Sequence, residues 1–283
     1  MAISADALMA FPIPQARQAV SARDAILYAL SVGYGAAPVD KAHMRRTTET
    51  DLLHAPTFAN VVAHAGPWMK DAGVDWQKLV HSEHRLTIRR PVPLDQPLLS
   101  RSRMLSVVDR GQDKGMFATF ERVIFSMADE QPVATIIQTN ACRSDGGCGS
   151  AGTPPDALPA APQRDPDAVF SIEMREDAAL LYRLNGDLNP LHSDPDYARG
   201  AGFARPILHG LCTFGHAAYA IGRVCGSAGL ADVSSIAARF TGIVYPGETL
   251  DFEIWRDGQD IGFRAKVAAR GVTALDNGTA RLA

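Results

Sequence analysis

Apolar and polar residues alternate through much of the chain in runs that predict β-strands. Before residue 144 these runs cover 84–90, 98–111, 115–127 and 133–143. After residue 167 they cover 168–175, 234–245, 249–258 and 261–271, with a shorter run in VTALDNGTARL (272–282). Short runs joined by turn sequences favour antiparallel pairing within each group.

A second pattern, with apolar residues at helical spacing, predicts helices ahead of each group of strands. Candidates are DAILYALSVG (24–33), a helix beginning near Thr57, EDAALLYRLNG (176–186) and LCTFGHAAYAIGRVC (211–225). The last is apolar nearly all round, which is typical of a buried helix. Because a buried helix needs a curved sheet to cover it, each half predicts an α+β arrangement, an antiparallel sheet wrapped around a central apolar helix.

One segment separates the two halves. Residues 144–167, SDGGCGSAGTPPDALPAAPQRDPD, are rich in the glycine and proline that helix and strand interiors tolerate poorly. They predict a linker between domains at 1–143 and 168–283. A chain of 283 residues fits two domains at about 100 to 200 residues per domain.

Composition narrows the class of protein. A hydrophobic fraction of 46% describes a globular protein, and a net charge of −3 gives no general attraction to nucleic acid or acidic lipid. The first residues lack the charged start and apolar run of a secretion signal or membrane span. The four cysteines show no C-x-x-C pairing. We therefore expect a cytoplasmic protein with free thiols and neither a nucleic acid nor a membrane partner.

Candidate chemistry is concentrated in NGDLNPLH (185–192). Asp187 and His192 could converge on one water as an acid–base pair, with Asn189 as a hydrogen-bonding positioner. Gly210 precedes the apolar helix, where an unpaired backbone N–H can stabilise an oxyanion. The same residues also fit a simple turn in which Asp and Asn bond their own backbone. His209 is as compatible with a cap or packing role as with catalysis.

A metal-binding site is another interpretation of these candidate residues. Asp187, His192 and His209 would supply enough ligands, but metal-free acid–base chemistry explains them equally well. We expect no metal.

A family resemblance separates these readings. YRLNGDLNPLHSDPDYARGAGFARPILHGLCTFG (182–215) resembles the hydratase 2 signature of MaoC-like (R)-specific enoyl-CoA hydratases, which have the hot-dog fold. RDAILYALSVGYG, LHAPTFANVV and LVHSEHRLTIRRPVP are similar to the N-terminal half of the double hot-dog hydratase 2 in peroxisomal multifunctional enzymes. Asn185 departs from the pattern, since the family often has serine or threonine there.

The resemblance implies roles for single residues. Asp187, His192 and Asn189 would be catalytic and the Gly210 N–H the oxyanion donor, while Gly186, His209 and Leu211 would contact the substrate. Neither cofactor nor metal is implied. Residues 1–143 contain no D-x-N-x-x-H, so each chain would have one site, with the N-terminal half shaping an acyl pocket. A homodimer is expected.

The activity implied is reversible hydration of trans-2-enoyl-CoA to (3R)-3-hydroxyacyl-CoA in fatty-acid metabolism. The alternatives are a 3-hydroxyacyl dehydratase acting on acyl carrier protein in fatty-acid or polyketide synthesis, and a non-catalytic acyl-thioester binding protein. The sequence leaves acyl length, physiological direction, carrier and pathway open.

Overall fold

A computed structural model describes residues 3–226 and 229–283. These residues form two compact units. The first unit contains residues 3–19 and 62–157, and the second contains 20–61 together with the described part of 158–283. Residues 20–61 therefore pack with the C-terminal residues, although the sequence analysis grouped them with 1–143.

The α-helices are short except for two. They are α1 (Ala5–Met9), α2 (Ala22–Ser31), α3 (Lys41–Thr47), α4 (Trp68–Asp71), α5 (Ala178–Tyr182), α6 (Pro195–Gly200) and α7 (Gly210–Cys225). Turns of 3-10 helix cover Pro56–Val61, Trp76–Lys78, Arg183–Asn185, Pro190–His192 and Ala268–Arg270. Among the described residues, no helix is both long and apolar enough to cross a membrane.

Nine of the described strands overlap the predicted runs, whereas two short ones, at Ala16–Ala19 and Ala151–Gly152, lie outside them. The strands are β1 (Ala16–Ala19), β2 (Leu79–Ile88), β3 (Pro97–Asp109), β4 (Met116–Ser126), β5 (Pro132–Cys142), β6 (Ala151–Gly152), β7 (Ala168–Glu173), β8 (Val233–Phe240), β9 (Thr249–Asp257), β10 (Asp260–Val267) and β11 (Val272–Leu282). All pairings described below are antiparallel, so the predicted α+β class is confirmed.

In the second unit the strand order is β8-β11-β10-β9-β7. Helix α7 contacts β7, β8 and β9 and is buried along almost its whole length, as its apolar sequence predicts. The fully buried rings of Phe214, Phe252 and Phe263 fill this core. The sheet thus holds α7 in place, which fixes the position of its first residue, Gly210.

Helix α2 also belongs to the second unit. It starts with a capping box, in which the Ser21 hydroxyl accepts from the Asp24 N–H and the Asp24 carboxylate accepts from the Ser21 N–H. The helix then packs against α5 and the 3-10 turn Arg183–Asn185. A helix from the N-terminal part of the chain therefore supports the segment that leads into NGDLNPLH.

In the first unit the strand order is β1-β3-β4-β5-β2, with β6 paired to β3. Its apolar core includes Leu8 from α1 and Trp68 from α4, and the Trp68 ring meets Phe120 edge-on at 5.2 Å between centroids. Among the described residues of this unit, no α-helix is longer than α1. In the second unit, the helix predicted to begin near Thr57 is instead a 3-10 turn of six residues. Ala63, at φ +48°, takes the chain out of helical conformation just beyond it.

The predicted linker is partly ordered by a single carboxylate. Asp109, at the end of β3, accepts the backbone N–H groups of Gly111, Gly147 and Gly149, each at 2.9 Å. These bonds lower the pKa of its carboxyl group. Within the segment, residues 144–157 pack with the first unit and residues 158–167 with the second.

Candidate active site

The loop that carries the candidate residues starts with a sharp turn. Helix α5 ends at Tyr182, the 3-10 turn Arg183–Asn185 follows, and Gly186 then adopts φ +111°. Its N–H donates to the Arg183 carbonyl at 3.0 Å. Only glycine takes such a φ without strain, so Gly186 serves the turn that presents Asp187.

Asp187 and Asn189 each bond the backbone two residues further along. The Asn189 N–H donates to Asp187 Oδ1 at 3.2 Å, and the Leu191 N–H donates to Asn189 Oδ1 at 3.1 Å, which caps the 3-10 turn Pro190–His192. The turn reading of this motif therefore holds. It leaves Oδ2 of the exposed Asp187 carboxylate and Nδ2 of Asn189 available for a ligand, so the turn and a catalytic role are compatible.

His192 is buried, with 8% of its surface exposed. Its Nδ1 lies 2.8 Å from the Ile207 carbonyl oxygen. A carbonyl only accepts, so Nδ1 carries the proton and Nε2 has the free lone pair of a base. Burial lowers the pKa of His192 below its ordinary 6.5, although the Ile207 carbonyl and Asp187 act in the opposite direction. The imidazole is therefore neutral at pH 7.

His209 lies directly against His192. The ring centroids are 3.7 Å apart and the planes are inclined by 23°, a stacked arrangement. His209 Nε2 donates to the Asp187 backbone carbonyl at 3.2 Å. Burial, followed by the neighbouring His192, lowers the pKa of His209 to about 4. Only 2% of its surface is exposed, which leaves little of the ring for a substrate to touch.

Gly210 is the first residue of α7, and His209 in the N-cap position makes no side-chain capping bond. The first N–H groups of a helix have no intrahelical partner, and the helix dipole favours negative charge there. A Cβ on Gly210 would lie 3.0 Å from two ring carbons of Phe240. A larger residue would therefore press against the Phe240 ring at a place where the backbone can also bind an oxyanion. The predicted contact residue Leu211 follows it and is half-buried.

The three titratable groups are close enough to suggest a metal site. One ligand atom each from Asp187, His192 and His209 lie within 4.8 Å of one another. An imidazole binds a metal through a lone pair in its ring plane, at about 2.0 to 2.1 Å for zinc. Two stacked rings direct their lone pairs side by side instead of towards one point. The geometry suits proton transfer better than metal binding.

The structure thus brings Asp187, Asn189, His192, His209 and Gly210 together. It also shows contributors that the sequence analysis missed, namely the Ile207 carbonyl, Ser31 of α2 and the Tyr182 ring, which lies 4.9 Å from His209. A backbone carbonyl leaves no sequence signal. Tyr182 stood inside the quoted motif but looked like an ordinary apolar helix position.

Comparison with known proteins identifies the family of the chain. Residues 157–277 match the model of the MaoC like domain, and residues 19–143 match that of the MFE-2 hydratase 2 N-terminal domain. The chain is 37% identical to the 3-hydroxyacyl-thioester dehydratase Y of Mycobacterium tuberculosis, over 90% of both chains. It is 33% identical to the peroxisomal enoyl-CoA hydratase 2 of Arabidopsis thaliana, over 96% of this chain and 93% of the relative.

Solved structures show the same fold. A MaoC-like dehydratase from Phytophthora capsici superposes with a TM-score of 0.85 at 27% identity and covers 98% of both chains. A Mycobacterium tuberculosis protein described as a double hot-dog fold superposes with a TM-score of 0.58 at 15% identity, over 95% of this chain and 93% of that one. The predicted double hot-dog architecture is thereby confirmed. The chain belongs to the MaoC-like dehydratase family of hydro-lyases, in the form that joins an MFE-2 hydratase 2 N-terminal domain to a MaoC like domain.

Proposed function

We propose that this protein adds water reversibly to trans-2-enoyl-CoA and forms (3R)-3-hydroxyacyl-CoA in fatty-acid metabolism. The observation that carries the proposal is the convergence of the Asp187 carboxylate, the free Nε2 of His192 and the N-terminus of α7. Relatives named enoyl-CoA hydratase support the choice of substrate. The R configuration is inferred from the hydratase 2 resemblance.

These groups have three roles in the reaction: proton transfer, orientation of the water and stabilisation of the oxyanion. His192 Nε2 accepts a proton from water while the Asp187 carboxylate orients that water by accepting its second hydrogen. The water oxygen bonds to C3, and the Gly210 N–H stabilises the negative charge that moves to the thioester oxygen. The imidazolium then returns its proton to C2. One O–H bond and the C2–C3 π bond break while one C–O and one C–H bond form, so one water is added.

The direct test is an assay of purified protein with crotonyl-CoA and longer trans-2-enoyl-CoA esters. We expect loss of enoyl absorbance and a product that chiral chromatography identifies as (3R). His192→Ala should lower kcat by about 10² to 10⁴-fold. His216→Gln is the matched control, because His216 is also a buried histidine but its Nδ1 bonds to the Cys212 carbonyl one turn earlier in α7. A mainly (3S) product, or full activity without His192, would refute the proposal.

A dehydratase acting on acyl carrier protein is the second candidate, favoured by the relative named 3-hydroxyacyl-thioester dehydratase. The same groups catalyse the reverse reaction. Competition between enoyl-CoA and an enoyl-acyl carrier protein, compared through kcat/KM, separates the two carriers. A non-catalytic thioester binder would need no acid–base pair, whereas this chain retains both Asp187 and His192.

The proposal also gives the N-terminal half an acyl-binding role, with one catalytic site per chain. The 3-10 turn Pro56–Val61 contacts α7 and buries Ala59 to 2% exposure. Ala59→Leu should lower kcat/KM for long enoyl-CoA more than for crotonyl-CoA. Ala265→Leu in β10, where the alanine is also fully buried, controls for general destabilisation. An unchanged ratio in Ala59→Leu would contradict the role.

The proposal includes the oligomeric state and the cellular location of the protein. We propose that it is a homodimer and that it is located in the cytoplasm. All four cysteines are free thiols, as a reducing compartment requires. Light scattering after size exclusion should give twice the mass of one chain. Cell fractionation tests the compartment, and recovery in sealed organelles would exclude the cytoplasm.

A further inference from the structure

We infer that His209 is a neutral positioning residue, which fixes Asp187 through a backbone bond and His192 through ring stacking, and itself neither transfers a proton nor binds substrate. The inference rests on the proposed function, because it assigns a role within the same site. It departs from the expectation that His209 contacts the substrate. Three observations carry it: the tautomer, the stack and the enclosure of the ring.

The hydrogen bond to Asp187 fixes the tautomer of His209. Its Nε2 lies 3.2 Å from the Asp187 carbonyl oxygen, so Nε2 carries the proton and Nδ1 holds a bare lone pair. Nδ1 is buried and has no hydrogen-bond partner among the described residues. A second proton would have to sit on this shielded atom without an acceptor, at a desolvation cost that disfavours the charged form. The neutral ring therefore holds the Asp187 main chain in place.

The stack links the same ring to the base. When His192 accepts a proton from water it becomes positively charged. The aromatic face of a neutral His209, with its centroid 3.7 Å away, then stabilises this charge. A charged His209 would repel it at this distance. The Tyr182 ring, 4.9 Å from His209, is in turn packed against Tyr28 of α2 at 6.1 Å. The stack therefore continues into the helix that supports the loop.

Direct chemistry by His209 does not fit its surroundings. A proton donor or substrate ligand needs a polar atom facing the substrate, whereas Nε2 faces a backbone carbonyl and Nδ1 is enclosed. The charged or titratable groups around the ring are Arg183 and Asp187 on the loop, His192 beyond it, and Tyr182 on α5. Asp187 and His192 already supply the proton-transfer groups.

Two substitutions separate the two contacts. His209→Gln can still donate an N–H to the Asp187 carbonyl but loses the ring, whereas His209→Phe keeps the ring and loses the donor. We expect kcat to fall by about 10²-fold in His209→Phe, since a catalytic group displaced by about 1 Å costs that much. His209→Gln should lose less kcat. KM should change little in either variant, and His216→Gln should resemble the wild type.

The acid limb of the kcat profile gives a readout that a merely structural role would not move. In His209→Gln, where the covering ring is gone and water reaches His192, the limb should shift upward in pH. In His209→Phe it should stay in place. Equal losses in both variants that match His192→Ala, or a change mainly in KM, would overturn the inference.

A measurement without substrate keeps this inference separate from the proposed function. Nitrogen-15 NMR of histidine-labelled wild-type protein should show His209 as the Nε2–H tautomer between pH 5.5 and 8, with His209→Gln used to assign the signal. A His209 that titrates near pH 6.5 would overturn the inference even if hydration is observed. If hydration is absent but the tautomer is as expected, only the catalytic proposal fails.

Discussion

At the residue scale, Asp187 and Asn189 each use one polar atom to build the turn and leave another for a ligand. The same residues therefore form the turn and carry the candidate catalytic groups. Their spacing is local, so the sequence could predict it. The Ile207 carbonyl that orients His192 is 15 residues away in sequence, and the side chain at that position has no bearing on it.

Asp187→Asn tests the charge apart from the turn. An asparagine keeps a side-chain oxygen for the Asn189 N–H, so the loop should persist and thermal stability should change little. Loss of the carboxylate should lower kcat by about 10² to 10⁴-fold. Asp187→Ala, which also loses the turn bond, is the comparison. Turnover within tenfold of the wild type in Asp187→Asn would show that the charge is dispensable.

The Gly210 backbone N–H is tested by a matched pair of substitutions. Gly210→Ala and Gly210→Pro both place a Cβ against Phe240, but only proline removes the N–H. Proline is tolerated at the first position of a helix, so α7 should form in both. If the N–H binds the oxyanion, proline should lower kcat about 10² to 10³-fold below alanine. Similar rates in the two variants would assign the oxyanion to another donor.

At the element scale, most strands were predictable and their partners were not. Alternation is visible within each run, so β3 to β5 and β9 lie within a few residues of their predictions. Residues 20–61 precede the first group of strands in sequence, and nothing in their own pattern reveals that they pack with residues after 157. The short helices α1, α3 and α4 carry too little periodicity to be recognised.

A contact between α2 and the catalytic loop can be measured with a double-mutant cycle. Asn185 Nδ2 donates to Ser31 Oγ at 3.0 Å and to the Tyr182 carbonyl at 2.9 Å. Removing either partner should lower the free energy of unfolding by about 0.5 to 1.5 kcal/mol. In the double variant Ser31→Ala/Asn185→Ala, the free energy of unfolding measured with urea should fall by less than the sum of the losses in the two single variants. Additivity within about 0.3 kcal/mol would show that the two side chains are independent.

At the scale of the whole molecule, buried histidines make stability depend on pH. Burial lowers the pKa of His209 and of His216 to about 4, against 6.5 for an exposed imidazole. Between these values the unfolded chain binds protons that the native chain does not. Stability is therefore complete above pH 6.5 and is lost as the pH falls towards 4.

The expected slope is ~1.4 kcal/mol per pH unit for each such histidine. Urea unfolding between pH 4.5 and 7.5 measures it. His216→Gln removes one of the two groups. The free energy of unfolding of this variant should therefore depend less steeply on pH, by the contribution of one histidine, even if the variant is less stable at every pH. Equal slopes in this window would contradict the assignment of His216 as a buried neutral group.

The partnership of residues 20–61 with the C-terminal residues also has a consequence during synthesis. Ser31 and its partner Asn185 are 154 residues apart in sequence. At about 5 to 20 residues per second, the ribosome delivers Asn185 roughly 8 to 30 seconds after Ser31. Throughout that interval α2 and the apolar side of Tyr28 have no catalytic loop to pack against, while the intervening strands are already emerging. The nascent chain therefore has to keep this face of α2 uncovered until α5 and the loop after it are made, which makes this stage of synthesis a natural point for chaperone binding.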